Sequence, residues 1–327
     1  MSIFESFTLE KKNIKNRILL SPFSDNQAEK TGKVSQHIFE TLIRATKQGV
    51  GAIILDSAYI CNQGQSWPYQ LGISEEEHLP GLKNLVRILK EDGVFVGIRL
   101  AHAGARTNAK LCGEQPIGPS AIPLGKDYDL CREFDEHDTK EICTFFAHAA
   151  ERAEEAGFDF IEINAAQSLL LDQCLNPKTN QREDRYGGSL KNRMQLPLEV
   201  IQTIRKRIKD SLLVSFFFNN PLEWYEEQEE LKGQLELIEM VKMLEAAQVD
   251  LLHPVLVHVM NKISDSEISI NDLIVKGSSL PLIIEGNIKS TSILKELLKS
   301  NRGTFYCLDK SIYSRNNWFQ FLQKKIA

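Results

Sequence analysis

Apolar runs of strand length alternate with stretches of helical period along this chain, and the alternation repeats eight times. The strand-like runs are RILLSPF (17–23), VGAIILDSAY (50–59), VFVGIRLA (94–101), FDFIEINAA (158–166), LLVSFFFN (212–219), VDLLHPVLV (249–257), LPLIIEGNI (280–288) and GTFYCLDK (303–310). Most are continuously apolar, as in strands covered on both faces. Between them lie helical patterns such as SQHIFETLIRATKQG, PGLKNLVRILKEDG, TKEICTFFAHAAERAEEAG and GQLELIEMVKMLEAAQ. Asp138, with Glu141 three residues on, reads as a capping box, and Gly49, Gly93 and Gly157 stand where helices stop.

Strand then helix, eight times, predicts a parallel sheet, and eight such units close into a (β/α)₈ TIM barrel. The expected organisation is one domain over residues 1–327. An open doubly wound sheet is the alternative, but no GxGxxG turn follows any strand. Two connections exceed what chain closure needs: 102–137 after the third strand and 167–191 after the fourth. Both are expected to lie over the C-terminal mouth, where barrels of this kind carry their chemistry.

Composition narrows the function classes. The chain has 327 residues, 42% apolar and 25% charged, the balance of an ordinary globular protein. A net charge of −5 argues against a sequence-independent grip on nucleic acid. Cysteines 61, 112, 131, 143, 174 and 307 form no CxxC pair, so neither a zinc knuckle nor a disulfide framework is suggested. The N-terminal stretch lacks an apolar core segment and no apolar run reaches membrane-spanning length, so the expectation is a cytoplasmic protein without membrane contact.

The segment NPKTNQREDRYGGSLKNR (176–193) resembles a signature of the old yellow enzyme family, the FMN-dependent NAD(P)H:flavin oxidoreductases. IKNRILLSPFS (14–24), LAHAGAR (100–106), PIGPSAIP (116–123), AGFDFIEINAAQSLLLDQCLNP (156–177) and the final EGNI with YCLDKSIYSR extend the likeness over essentially the whole chain. The resemblance implies a (β/α)₈ barrel holding FMN at its mouth. In the family, hydride passes from NADH or NADPH to the flavin and on to an activated alkene or related small-molecule substrate. A His–His or His–Asn pair binds the substrate carbonyl, and a tyrosine supplies the proton. Dimers are common in the family, so the resemblance admits a homodimer, while the sequence itself leaves the oligomeric state open.

At the positions that carry this chemistry the chain departs from the pattern. The catalytic pair reads Asn164 and Gln167, amides that can donate hydrogen bonds but carry no charge. The tyrosine position is Leu169, which leaves solvent or another side chain as proton source. The glutamine expected at the flavin's pyrimidine edge is Arg99, and the fifth-strand arginine is Ser215. Arg99 is expected either to keep a positive charge near flavin N1 or to fill the space and pair with a carboxylate such as Asp56.

The remaining cofactor candidates are Ser21, Pro22 and Phe23 at the first strand end, Gly286 and Asn287 after the seventh strand, and Asp309 with Lys310 after the eighth. Asp309 and Lys310 stand where relatives present Gly-Arg to a phosphate. A carboxylate ~4 Å from a dianion repels it by roughly 1–4 kcal/mol when partly solvated. The expectation is therefore FMN held weakly or lost, with two readings open: an altered flavin oxidoreductase, or a catalytically degenerate barrel acting by binding or regulation. His102 reads as a structural histidine, and Tyr186-Gly187-Gly188 as a loop-shaping turn. His253 and His258 come nearest to metal ligands, and no metal site is expected.

Overall fold

The computed structural model describes residues 2–21, 26–260, 262–263, 266, 268–300, 302–309 and 317–326. The chain opens with an antiparallel hairpin of β1 (Phe7–Leu9) and β2 (Lys12–Ile14). Its two-residue turn places Glu10 and Lys11 at φ 43° and 66°, the geometry of a tight hairpin turn. Next come β3 (Ile18–Leu20), β4 (Ala52–Tyr59) and β5 (Phe95–Ala101), then a short pair, β6 (Ile117–Gly118) with β7 (Arg132–Glu133), inside the connection after β5. The remaining strands are β8 (Phe160–Ala165), β9 (Leu213–Asn219), β10 (Leu251–Val255), β11 (Ile283–Ile288) and β12 (Phe305–Leu308).

Eight of these strands form one sheet in the order β10-β9-β8-β5-β4-β3-β12-β11, with every neighbouring pair parallel. The two ends meet: Leu252 bridges Leu282, and its N–H donates to the Pro281 carbonyl at 2.9 Å. All eight sequence-predicted strands are present, and the sheet closes as the (β/α)₈ expectation requires.

The helices are α1 (Gln36–Lys47), α2 (Leu79–Glu91), α3 (Ala109–Cys112), α4 (Glu136–Ala156), α5 (Leu170–Leu175), α6 (Leu190–Arg193), α7 (Gln195–Arg205), α8 (Glu230–Ala246), α9 (Ile270–Gly277) and α10 (Thr291–Ser300), followed by Trp318–Ile326. A helix joins each barrel strand to the next.

Because side chains alternate across a strand, each barrel strand feeds two cores. The outer core lies between strands and helices and includes Ile53, Ile98, Ile161, Val214 and Leu252. The inner one plugs the barrel's N-terminal end with Leu19, Ala52, Ile54, Phe95, Phe160, Leu213, Leu251, Ile283 and Phe305, and the hairpin caps it with Leu9 and Ile14. Phe95 stacks on Phe160 at 4.9 Å between centroids and on Phe305 at 6.0 Å. Each such buried side chain contributes roughly 1.5–3 kcal/mol of transfer free energy. Gly97, between Phe95 and Arg99, must lack a side chain, since a Cβ there would lie 2.3 Å from the Phe160 ring.

The capping box of α4 sits one turn earlier than the sequence reading. Asp135 is the N-cap and accepts from the N–H groups of His137 and Asp138. Asp138 in turn accepts from the Asp135 N–H on its carboxylate and pairs with Arg132 at 2.6 Å. A carboxylate at either position satisfies the local pattern, and the ion pair with β7 selects the earlier one. Asp135→Ala is expected to lower stability by about 1 kcal/mol in chemical denaturation, because two helix N–H groups lose their acceptor.

Candidate active site

Above the apolar plug, the inward positions of five strands are polar. On β8 they run Phe160, Glu162, Asn164; on β9, Leu213, Ser215, Phe217; on β10 and β11, Leu251, His253 and Ile283, Glu285. Arg99 enters from β5. These side chains form one connected network. Arg99 Nε donates to Glu162 Oε2 at 2.6 Å, Ser215 Oγ donates to Glu162 Oε1 at 3.1 Å, and His253 Nδ1 bonds the same oxygen at 2.7 Å. On its other side His253 Nε2 bonds Glu285 Oε2 at 2.8 Å, and Ser21 Oγ donates to that oxygen at 3.1 Å.

The electrostatics follow from this geometry. Burial works against the charge of Glu162, but Arg99 and His253 outweigh it and hold the carboxyl at about 2. Burial equally opposes the imidazolium of His253, which Glu162 and then Glu285 raise above the ordinary histidine value. Glu285 is held below the carboxylate range by His253, again against burial. Two cations thus face two anions inside a closed barrel, the balance a buried ionic cluster needs. The Phe217 ring covers it: the Arg99 guanidinium carbon lies 3.6 Å from the ring centroid, and His253 packs edge-on at 4.8 Å.

Among the residues singled out from sequence, Ser21, Arg99 and Ser215 are joined by this network. Arg99 pairs with Glu162 rather than Asp56, whose carboxylate instead accepts from the Ser57 N–H at 2.8 Å. Asn164 is buried above Glu162, with its amide N–H donating to Ser57 Oγ at 3.1 Å and its oxygen accepting from the Ala166 N–H at 3.0 Å. Gln167 lies beyond the strand end at φ 60°, and its backbone oxygen accepts from Arg106. Asn287, at φ 53°, donates to the Val257 carbonyl at 2.7 Å. Beside it, Gly286 adopts φ 139° where a Cβ would meet the Leu256 carbonyl at 2.6 Å, so this turn demands glycine. Asp309 follows β12 and donates its N–H to the Ile288 carbonyl at 3.1 Å. Pro22, Phe23 and Lys310 lie outside the described residues.

The two long connections are knitted together through Gln173 on α5. Its Oε1 accepts from the Ala105 N–H at 3.0 Å, and its amide donates to the carbonyls of Ala103 and Ser168. Gly104, at φ 63°, leaves room for that amide, whose oxygen would sit 2.4 Å from a Cβ there. His102 accepts from the Gly104 N–H at Nδ1, and burial lowers its pKa to about 4, so it is a neutral imidazole with its proton on Nε2. Tyr186 bonds Glu199 and Thr139 through its hydroxyl, while its carbonyl accepts from Asn180, which fits the loop-shaping reading.

Glu162, Glu285 and Asp172 escaped the sequence reading. A charged residue inside an otherwise apolar strand was the available signal for the first two, Glu162 between Ile161 and Ile163 and Glu285 after Ile283 and Ile284. Asp172, on α5, accepts from the Ser168 N–H at 2.6 Å and from Asn219 at 2.7 Å, both on Oδ2. Its buried Oδ1 has no partner among the described residues, and burial pushes the carboxyl up to about 7.

No helix among the described residues is long and apolar enough to cross a membrane. A sequence model of the NADH:flavin oxidoreductase / NADH oxidase family matches residues 2–327. The chain is 29% identical to an NADPH dehydrogenase of Clostridium acetobutylicum, over 98% of this chain and 93% of that protein. It is also 29% identical to an NADH oxidase of Thermoanaerobacter brockii over 93% of this chain, but spans only 48% of that protein's length. The old yellow enzyme homologue from Zymomonas mobilis superposes with a TM-score of 0.84 at 22% identity, covering 99% of this chain and 93% of that one. With its barrel closed and its whole length matched, the chain belongs to the NADH:flavin oxidoreductase / NADH oxidase family, that of the old yellow enzymes.

Proposed function

We propose that the protein is an FMN-dependent NAD(P)H oxidoreductase with an altered flavin and substrate site, acting on an activated alkene or a related small molecule. One observation carries the reading. Arg99 Nη2 is a buried guanidinium nitrogen with no acceptor among the described residues, on the strand position where the family places its flavin-binding glutamine. A buried unpaired donor costs about 1–3 kcal/mol, and more when charged, unless something accepts from it. The pyrimidine carbonyl of a flavin has the chemistry to do so.

FMN, when bound, supplies hydride transfer from a nicotinamide to the substrate. The protein's residues bind and orient. Arg99, fixed by Glu162 and Phe217, holds positive charge at the barrel axis. Asn164 is engaged by Ser57 and Ala166, so it sets the end of β8 and leaves Gln167 as the amide available to a substrate oxygen. Phosphate binding rests on Lys310 beside Asp309, and weakened FMN affinity belongs to the same proposal, as do cytoplasmic residence and a homodimer.

The engaged amide of Asn164 favours a second reading, a barrel that binds a small molecule without flavin. A visible absorption spectrum decides. The flavin reading expects a yellow protein, or one that retains an equivalent of added FMN after dialysis and is bleached by NADH or NADPH under anaerobic conditions. Protein that is colourless as purified and leaves the spectrum of FMN unchanged in a direct titration refutes it in favour of the second.

A further inference from the structure

The inward faces of β10, β11 and β12 bring three metal-ligating side chains together. A ring nitrogen of His253, a carboxylate oxygen of Glu285 and Cys307 Sγ all lie within 4.8 Å of one another. We propose that His253, Glu285 and Cys307 form a binding site for one divalent transition-metal cation, with zinc the best match. The proposal does not depend on whether flavin is bound, and it revises the sequence expectation that His253 has no such role.

The donor set selects the ion. Imidazole, thiolate and carboxylate together suit zinc, at about 2.0 Å to nitrogen and 2.3 Å to sulfur, whereas magnesium and calcium take oxygen ligands. The ligands stand on three successive strands of a closed barrel, with Ile284 opposite Tyr306 across β11 and β12. Their backbones are therefore fixed; coordination asks for Glu285 to swing off His253 Nε2 and for two protons to leave to solvent, one from the His253 imidazolium and one from the Cys307 thiol, as the ion enters between them.

The supporting contacts match those of known metal sites. Glu162 Oε1 lies 2.7 Å from His253 Nδ1, the carboxylate–imidazole arrangement that orients a metal-bound histidine and raises its donor strength. Ser21 Oγ steadies Glu285 from the other side. Charge is matched too: Glu285 and a Cys307 thiolate balance the dication, while Arg99 and Glu162 balance each other. His253 and Cys307 are buried and the Glu285 side chain is 34% exposed, so a fourth coordination position is open to water on the Glu285 side.

The test uses the full-length protein as purified, dialysed against a chelator. Zinc is then titrated in competition with a chromophoric chelator, and cobalt is followed by difference spectra against the metal-free protein. One equivalent of zinc per chain and a thiolate-to-cobalt charge-transfer band are expected. Cys307→Ser should abolish the band and weaken zinc binding by more than the roughly 10–100-fold that loss of an outer-shell partner costs, whereas Cys61→Ser should leave both intact. Wild type that takes up no equivalent, or Cys307→Ser that binds like wild type, overturns the site. If Cys307→Ser does not fold, the wild-type cobalt spectrum decides, and a missing thiolate band is fatal.

Discussion

Replacing Glu162 with leucine is expected to lower the unfolding free energy by about 3–5 kcal/mol, the range for breaking a buried ion pair from one side. Glu162 is fully buried and is the one group that touches Arg99, Ser215 and His253 together. Without it, the Arg99 guanidinium keeps Phe217 but loses its counter-ion, and His253 keeps only Glu285. Glu162→Gln retains an acceptor yet turns an N–H group toward Arg99 or His253, so it also destabilises. Urea unfolding followed by tryptophan fluorescence measures the change. The double variant Arg99→Met with Glu162→Leu should lose less than the two singles added together, because the second substitution removes the charge that the first left unpaired. A Glu162→Leu protein within 1 kcal/mol of wild type would show that the ionic layer does not hold the barrel together.

That layer also marks the limit of what the sequence disclosed. Strand positions were legible because every barrel strand is a short apolar run bounded by turn residues, and closure followed from their number. The network was not, because its members are far apart in the chain: Arg99 and Glu162 by 63 residues, Glu162 and His253 by 91. An isolated strand shows alternation, but not which residue stands beside which on the adjacent strand, as Arg99 stands beside Glu162 and Glu162 beside Ser215. For Arg99 the sequence left two readings open, a positive charge near flavin N1 or a carboxylate partner such as Asp56 on β4; the partner in the structure is Glu162 on β8, the strand that flanks β5 on its other side.

The candidate site was legible in a different measure. The family signature located the mouth because long loop motifs are specific. It could not say which polar atoms remain available after folding. Asn164 and Gln167 look equivalent in the sequence, yet one amide is engaged by Ser57 and Ala166 and the other lies past the strand end. Gln173, which ties the two long connections together, has no local pattern to announce it, since its partners Ala103 and Ala105 lie on the other loop.

Stability should fall as pH rises from about 4 to about 7, with Asp172 as a principal cause. Burial lifts this carboxyl to about 7, against the pull of the Ser168 N–H, Asn219 and Arg106 and with a further push from Glu223. An unfolded aspartate releases its proton near pH 3.9. Between those two values the native state holds a proton that the unfolded chain has lost, so the group's contribution is complete below about pH 4 and gone above about pH 7. Three units correspond to as much as about 4 kcal/mol. The proton belongs on Oδ1, the buried oxygen with no partner among the described residues, while Oδ2 keeps its two donors. Asp172→Asn reproduces that state permanently, its carbonyl accepting from Ser168 and Asn219 and its amide taking the place of the protonated oxygen. The variant should therefore match wild type near pH 4 and exceed it increasingly up to pH 8 in urea titrations across that range. A difference between the two proteins that stays constant with pH would mean that Asp172 is ionised in the folded barrel.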